Sequence, residues 1–584
     1  RSMRSGTSVR DFRQVAATGI FTLFFLQLLT TWIESMYRMG VIKTSMGNEM
    51  SGMLLIFAPL LLVVVPGSRE GLALRIATVL VLATRFAIPL LGVRANIVVA
   101  GVGVAACVVV MTYALSNSYF GLRRELGTGI SLGLFASIAL RAWGSSYDPT
   151  LGGPGVAIGW GLVALAALLM LRTRWPTDQT DVPGSGSALN RWLLPIAWFA
   201  NLAIIYWVLS SPAVVTAWSE SSYLVNVSLL VISWTAATWQ IERLGNLPSV
   251  ILLIWNVLFA ISLTVGIYLH TPAVPMSVEA SPVIVATPPF ARQLLLHLMC
   301  LLSPVVLANL LQIANQQISA PPRKLAVPMV LGLIALVVLT VMTIFTNVWG
   351  YVGEFSAPFR GKFFVPFLAA CILMMLPPLF AKRQPSSNRA GATHLLSSLA
   401  VLVIGLIAIT GVVIKSRRSG PPTMDENRIT VLTYNLQLGS EPEGDQNFHD
   451  QIELLREINA DVVGLQESDA ARPGGGNVDV ARMFGDALGY YTYYGPNTIA
   501  GTFGTAILSR FPLENTRTIF SYSTKDEAGT AAAEIELNGV TTTIFNSHPA
   551  GKDVAKLAHI DDLVQAVKPH DSVIAVGDYN MRQG

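Results

Sequence analysis

Charge is scarce in this sequence. Of its 584 residues only 13% are Asp, Glu, Lys or Arg, about half the share found in ordinary soluble domains. The deficit is uneven. From Ala16 to Ile414 long apolar runs alternate with short polar joints, and charged residues return after Lys415. A single water-solvated body is thereby excluded: one part of the chain is solvated by lipid and the other by water. Cysteine is nearly missing. Cys107, Cys300 and Cys371 all lie in apolar runs, where they read as small core hydrophobes. The water-solvated part has none, which excludes a disulfide framework there. A basic face is missing too. The net charge is +4 and Lys and Arg sit mainly in the joints, which argues against a nucleic-acid footprint. The chain has no initiating Met and no cleavable leader pattern; its first apolar run, near Ala16 to Ile33, is long enough to span a bilayer.

What is present is a series of about thirteen candidate spans of the length a bilayer core demands. Their centres fall near Phe24, Leu60, Val81, Ala105, Leu134, Leu165, Ala200, Val231, Val257, Leu301, Leu336, Leu373 and Val403. The runs around Leu60 and Leu373 are short or interrupted by proline. Basic residues concentrate in alternate joints: Arg4, Arg10 and Arg13, then Arg69, Arg123 and Arg124, Arg172 and Arg174, Arg323 and Lys324, and Lys382, Arg383 and Arg389. Positive charge stays on the cytoplasmic side, so the amino terminus is expected there and, after an odd number of spans, the carboxyl-terminal part outside the cytoplasm. Lys415, Arg417 and Arg418 weigh against that orientation. Glu34, Arg85, Arg141, Glu220, His297, Asn309 and Gln312 fall in or beside spans, where polar groups either serve a lipid or substrate or sit at the interface. The expected division is a multi-span domain over 1–416, a linker over 417–427 and a soluble domain over 428–584.

The soluble part alternates strands and helices. Strands are predicted over Ile429–Asn435, Asp461–Leu465, Thr505–Ser509, Ala531–Leu537, Thr541–Asn546 and Ser572–Gly577, and helices over Asp450–Ile458, Val478–Leu488 and Val554–Val567. Polar residues stand at strand ends: Asn435, Gln466 and Glu467, Asn546 and His548, Asp578 and Asn580. Neighbouring strand ends converge, so one pocket can collect carboxylates, amides and an imidazole. That inventory suits phosphoryl transfer, with oxygen ligands for Mg²⁺ and donors for the non-bridging oxygens.

The order Thr-Tyr-Asn435, Gly-Leu-Gln-Glu467, Leu-Ser-Arg510-Phe-Pro, Phe-Asn546-Ser-His548 and Val-Gly-Asp578-Tyr-Asn580 resembles the endonuclease/exonuclease/phosphatase superfamily. The resemblance implies a four-layer α/β sandwich binding Mg²⁺ or Mn²⁺ through Glu467, with Asn435 assisting at the metal or phosphate. It implies that His548 contacts phosphate or donates a proton, that Asp578 activates the attacking water and that Asn580 binds phosphate. Asn546 and Arg510 are candidate substrate contacts, with a structural role the favoured reading for Arg510. A closer likeness runs through Leu454–Asp461, Glu467-Ser-Asp469-Ala-Ala-Arg-Pro, Gly476-Asn477 and Leu488–Pro496. Together with the many preceding spans, it resembles the fungal Cwh-type GPI-anchor remodelling proteins and their animal counterparts. That likeness implies a lipid or glycolipid phosphodiester as substrate, by hydrolysis or transfer, protein partners in lipid remodelling, and no nucleic acid. The superfamily pattern closes with an Asp-His pair that this sequence, ending at Gly584, does not reach. Incompleteness of the sequence is the favoured expectation. A scaffold with a catalytically inactive domain and a membrane-anchored nuclease are the alternatives.

Overall fold

The computed structural model describes residues 2–42, 47–116, 123–170, 188–315, 320–350, 353–380, 392–418 and 428–581. Most of the linker and the joints holding Arg172, Arg174, Lys382, Arg383 and Arg389 lie outside the described residues.

Each of the thirteen apolar runs forms a helix, but they are not equivalent. Ten are long and apolar enough to cross a bilayer: Phe12–Gly40, Gly67–Leu90, Val93–Ser116, Arg124–Trp143, Gly153–Met170, Leu189–Leu209, Ser249–Leu269, Phe290–Asn315, Pro322–Asn347 and Leu395–Lys415. An eleventh is a pair, Gly353–Phe359 and Phe364–Leu379, bent by 74°. Gly361, at φ +68° between the two, supplies a backbone conformation other residues resist. Met50–Val64 and Tyr223–Trp239 are shorter than a full span. Among the described residues the series of about thirteen candidate spans thus consists of ten or eleven helices long and apolar enough to cross, with two shorter apolar helices between them. Pro59 explains Met50–Val64, whose second half is wound as the tighter 3₁₀ helix.

The helical joints alternate between two faces, and the soluble domain sits on one of them. Its contacts come from the end of the first helix and from every second joint thereafter. Arg38 Nη1 donates to Ser440 Oγ (2.5 Å), and Val93 N–H to Asp445 Oδ1. Ser146 Oγ donates to Asp479 O (3.2 Å), and Ser211 Oγ to Asn477 O (2.9 Å). Asn347 Nδ2 donates to Thr498 O (2.9 Å), Arg360 pairs with Glu527 (2.6 Å), and Arg418 pairs with Asp486 (2.7 Å). Arg69, Arg124, Arg323 and Lys324 lie at the opposite helix ends. The polar groups within the bundle are mostly turned inward and bonded. Arg85 is fully buried and donates to Gln27 Oε1 (2.6 Å) and Thr150 Oγ1 (2.7 Å). Asn309 is bonded to Asn201 and Asn256, and Gln312 to Leu247 O. These bonds remove the cost that unpaired polar groups carry in a lipid-solvated interior.

The soluble domain is built on two sheets. Its strands, with one from the bundle, are β1 (Val283–Ala286), β2 (Val431–Asn435), β3 (Val462–Gln466), β4 (Tyr491–Tyr494), β5 (Thr505–Ser509), β6 (Glu514–Ser521), β7 (Ala528–Leu537), β8 (Val540–Ser547) and β9 (Val573–Gly577). One sheet has the order β1-β6-β7-β8-β9 and the other β2-β3-β5-β4. Val462, Ile507, Ala531, Ala533 and Ile544 fill the space between them. Helices Phe448–Ile458 and Val480–Leu488 cover the four-stranded sheet through Phe448, Ile452 and Phe484. Helix Asp553–Val567 covers the other through Leu563 against Ile519, Ala532 and Phe545. The result is the α-β-β-α layering implied by the resemblance. Gly464 permits the close approach of the sheets: a Cβ there would stand 2.5 Å from Val576 Cγ2.

Three strands escape the sequence pattern. β4 and β6 are short or charged. β1 comes from the joint between Ser249–Leu269 and Phe290–Asn315, and pairs antiparallel with β6 from Val283 against Phe520 to Ala286 against Arg517. It lies between Pro282 and the Pro288-Pro289 pair, at the sheet edge, where proline's missing N–H costs no ladder bond.

Candidate active site

β2 and β3 run parallel, as do β8 and β9, so their carboxyl ends meet at one end of the sandwich. Five of the predicted residues come together there. Asn435 Nδ2 donates to Asp578 Oδ2 at 2.9 Å, and Asn580 N–H donates to Asp578 Oδ1 at 3.1 Å. Both carboxylate oxygens of Asp578 are thus held. Asn580 Nδ2 donates to His548 Nε2 at 2.9 Å, which puts the proton of a neutral His548 ring on Nδ1. Nε2 also stands 3.7 Å from Glu467 Oε1 and 4.0 Å from Asp578 Oδ2. Burial pushes the imidazole below its ordinary value, while Glu467 and Asp578 pull it back up.

Glu467 follows β3 directly and has φ +47°. A non-glycine residue in the left-handed region costs on the order of 1–3 kcal/mol and persists where its surroundings enforce it, commonly at functional sites. Leu438 N–H donates to its carbonyl at 3.1 Å. Its side chain is about a third exposed, and its neighbour among the described residues is the His548 ring.

Two predicted residues are not in the cluster. Asn546 is fully buried. Its Nδ2 donates to Leu465 O (2.7 Å) and Ala506 O (2.9 Å), and its Oδ1 accepts from Gln466 Nε2 (2.6 Å). It ties β8 to the other sheet beneath the site, so the expected substrate contact is corrected to a bond between sheets. Arg510 lies at the far end of β5, paired with Asp461 at 3.3 Å and bonded through Nε to Tyr490 Oη at 2.9 Å. These partners place it away from the cluster, in keeping with the structural role favoured for it over a substrate contact.

Two residues that sequence reasoning missed border the cluster. Lys556 Nζ donates to Asn580 O at 2.9 Å, placing a cation at the rim. Asp526 is buried in the β6–β7 loop, and its Oδ1 has no hydrogen-bond partner. Residues beside it bond to the loop between β4 and β5 and to the loop that follows His548, and Arg472 and Glu467 act on its charge. Glu527 N–H donates to Gly501 O (3.0 Å), Asp469 N–H to Phe503 O (2.9 Å), and Lys552 N–H to Thr524 Oγ1 (3.3 Å). Neither position carries a periodic or motif signal in sequence. Burial raises the Asp526 carboxyl from 3.8 to about 7, with nearby Arg472 opposing the rise. A folded-state value above the unfolded one means that the native state holds the proton more tightly. Asp526 therefore contributes stability that is complete below about pH 4 and lost as the pH rises through 7. Thermal midpoints measured from pH 4 to 8 are expected to fall less steeply in Asp526→Asn than in the parent chain. Parallel curves would refute this.

The donor set suits a hard cation. Mg²⁺ is commonly held by one or two carboxylates with several waters retained, and Glu467 and Asp578 offer partly exposed oxygens at one edge. Among the described residues no three His, Cys, Asp or Glu side chains are grouped so as to hold a metal ion.

The loop after Glu467 docks on the bundle. Tyr206 Oη donates to Pro473 O at 2.6 Å and Arg141 Nη1 to Gly476 O at 3.0 Å. The stretch Asp469 to Asn477, prominent in the sequence, is thus the joint between domain and bundle, and the candidate site opens beside it.

Residues 426–566 match the family described as the PGAP2IP, C-terminal nuclease-like domain. A segment of 97 residues, 16% of this chain, is 33% identical to "Protein cwh43" of Schizosaccharomyces pombe and covers 10% of that protein. The carboxyl-terminal part of this chain is therefore similar to the PGAP2IP-type nuclease-like domain and follows, among the described residues, ten or eleven helices long and apolar enough to cross a membrane.

Proposed function

We propose that this protein is a membrane-bound, metal-dependent phosphodiesterase or transferase that acts on the phosphodiester of a membrane lipid, with GPI-type glycolipid as the substrate class. The observation that carries this reading is the convergence of Asn435, Glu467, His548, Asp578 and Asn580 at the end of the sandwich that abuts the helical bundle. A headgroup held near that edge meets the site at high effective concentration. Similarity to a cwh43 protein supports the glycolipid class.

Glu467, assisted by the Asn435 amide oxygen, would hold Mg²⁺ or Mn²⁺, which supplies charge neutralisation at the phosphate oxygens. Asp578, fixed through both oxygens, takes the proton of the attacking water or lipid alcohol. His548 contacts a non-bridging oxygen or, in its protonated form, passes a proton to the leaving oxygen and ends as the neutral ring. The Asn580 amide and the Lys556 ammonium bind non-bridging oxygens. The test is the full chain in detergent with Mg²⁺ and a diacylglycerol-bearing phosphoinositol glycolipid. Release or exchange of the diacylglycerol supports the reading, and neither event overturns it.

We further propose that the domain lies outside the cytoplasm, because the joints that touch it alternate with the basic ones. The native cysteines are buried, so single cysteines can report the side. Glu536→Cys is expected to react with a membrane-impermeant maleimide on intact cells (or sealed, right-side-out vesicles), and Lys324→Cys after permeabilisation alone. The reverse pattern inverts the orientation.

A further inference from the structure

We propose that Tyr206, Arg141 and Ser211, at the domain-facing ends of two bundle helices, are positioning residues for Glu467, so that the helical bundle sets the geometry of the candidate metal site. The proposal rests on the reading of Glu467 as the metal-holding carboxylate.

Glu467 is the first residue of a loop that leaves β3 and returns at Asp479. The loop is closed on itself by Ala471 N–H to Val478 O (2.8 Å) and Asn477 N–H to Arg472 O (2.9 Å). Its tip, Gly474-Gly475-Gly476, has no side chains to pack, and glycine loses the most backbone freedom when ordered. Something outside the loop must therefore hold it, and the bundle does so through backbone oxygens. Tyr206 Oη donates to Pro473 O (2.6 Å), Arg141 Nη1 to Gly476 O (3.0 Å) and Ser211 Oγ to Asn477 O (2.9 Å). In return Asn477 Nδ2 donates to Tyr206 O at 2.7 Å.

That last carbonyl is released from the backbone ladder, with Ser210 Oγ its other donor at 3.2 Å, because Leu189–Leu209 ends in a π-turn over Ile205–Leu209. Ser210 N–H reaches back five residues to Ile205 O (2.8 Å) instead of four to Tyr206 O. Such turns are rare and recur at functional sites. Here the turn presents both polar groups of one tyrosine to the loop that begins at Glu467. The left-handed backbone of Glu467 lies between β3 before it and, after it, Ser468 and Asp469, bonded to Gly504 O (3.3 Å) and Phe503 O (2.9 Å), with the bundle-anchored tip of the loop beyond them. Loosening the anchor lets that backbone relax and carries the carboxylate away from Asp578 and His548.

Tyr206→Phe removes one hydroxyl and retains the ring. In the full chain in detergent, Mn²⁺ binding is read by the loss of the free-ion EPR signal, alongside kcat and KM for the lipid. Partners that orient metal ligands are typically worth 10–100-fold in affinity or activity. The expected result is Mn²⁺ binding weakened about tenfold, a matching fall in kcat and KM within about twofold, at the lower end of that range. Ser211→Ala is expected to shift both quantities in the same direction by less, and it decides the matter if Tyr206→Phe does not fold. Mn²⁺ binding and kcat unchanged in whichever of these variants fold, while Glu467→Ala abolishes both, overturns the positioning role alone. Parental Mn²⁺ binding and turnover in Glu467→Ala removes the reading of the site and this proposal with it.

Discussion

Glu467→Ala is expected to lower turnover of a lipid phosphodiester by about 10²–10³-fold while leaving the protein folded, a loss of about 3–4 kcal/mol of transition-state stabilisation. Little of the fold depends on this side chain. It is about a third exposed, and its neighbour among the described residues is the His548 ring at 3.7 Å. Alanine still meets the left-handed backbone at φ +47°, so Glu467→Asn is the better-matched control, because asparagine tolerates that region. Both variants are expected to keep the parental thermal midpoint within a few degrees and to lose activity together. Glu467→Gln keeps the shape and loses the charge, and is expected to be nearly as inactive as alanine. Parental turnover in all three would remove Glu467 from the chemistry.

Arg472→Ala carries the largest expected effect on stability. The guanidinium and the Asp469 carboxylate form an ion pair at 2.7 Å with 3% and 8% of their side chains exposed. Burial pushes the Asp469 carboxyl above its ordinary value, and Arg472 opposes that rise. The guanidinium also lies 5.1 Å from the centre of the Phe503 ring and donates to Tyr37 Oη at 3.4 Å. Removing it leaves a buried carboxylate without its counter-charge and opens a gap at the seam between domain and bundle. Breaking a buried pair in this way costs about 3–5 kcal/mol. The measurement is the fraction of full chain that stays monodisperse in detergent across a temperature series. Removing Asp469 as well takes away the stranded charge, so Asp469→Ala with Arg472→Ala is expected to be more stable than Arg472→Ala alone. A single variant within about 0.5 kcal/mol of the parent, the range of an ordinary surface change, would show that the pair is not load-carrying at this seam.

Much of the candidate site was legible because its chemistry sits at strand ends in a fixed order. Asn435, Glu467, His548, Asp578 and Asn580 each follow a run whose alternation or burial marks a strand, and the parallel pairs β2–β3 and β8–β9 bring those ends together. Asn546 misled because it stands two residues before His548 and so belongs to the strand rather than its end. Its amide bonds across the sheets. Asp526 and Lys556 gave no signal, since an acid in a loop and a lysine on a helix are ordinary surface residues until the fold buries one and aims the other. The series of about thirteen apolar runs exceeds the ten or eleven long helices because Met50–Val64, which carries Pro59, and the 17-residue Tyr223–Trp239 are short. The stretch after Glu467 was marked by resemblance alone. Its role as the dock depends on Tyr206 and Arg141, more than 250 residues earlier in the chain, a distance no local pattern bridges.

The strand lent by the bundle has a consequence for how this protein is made. Residues 283–286 are synthesised more than 200 residues before β6, the strand they pair with. While translation continues, that short extended segment waits between its prolines with an open edge, and the sheet closes only after the later residues emerge on the same face. Transplanting the carboxyl-terminal domain onto another anchor would deliver a sheet one strand short, with the edge of β6 bare and prone to pair with a neighbouring molecule. The two parts are therefore not interchangeable cassettes: a gene fusion that separates them loses a structural piece that the boundary between domains does not reveal.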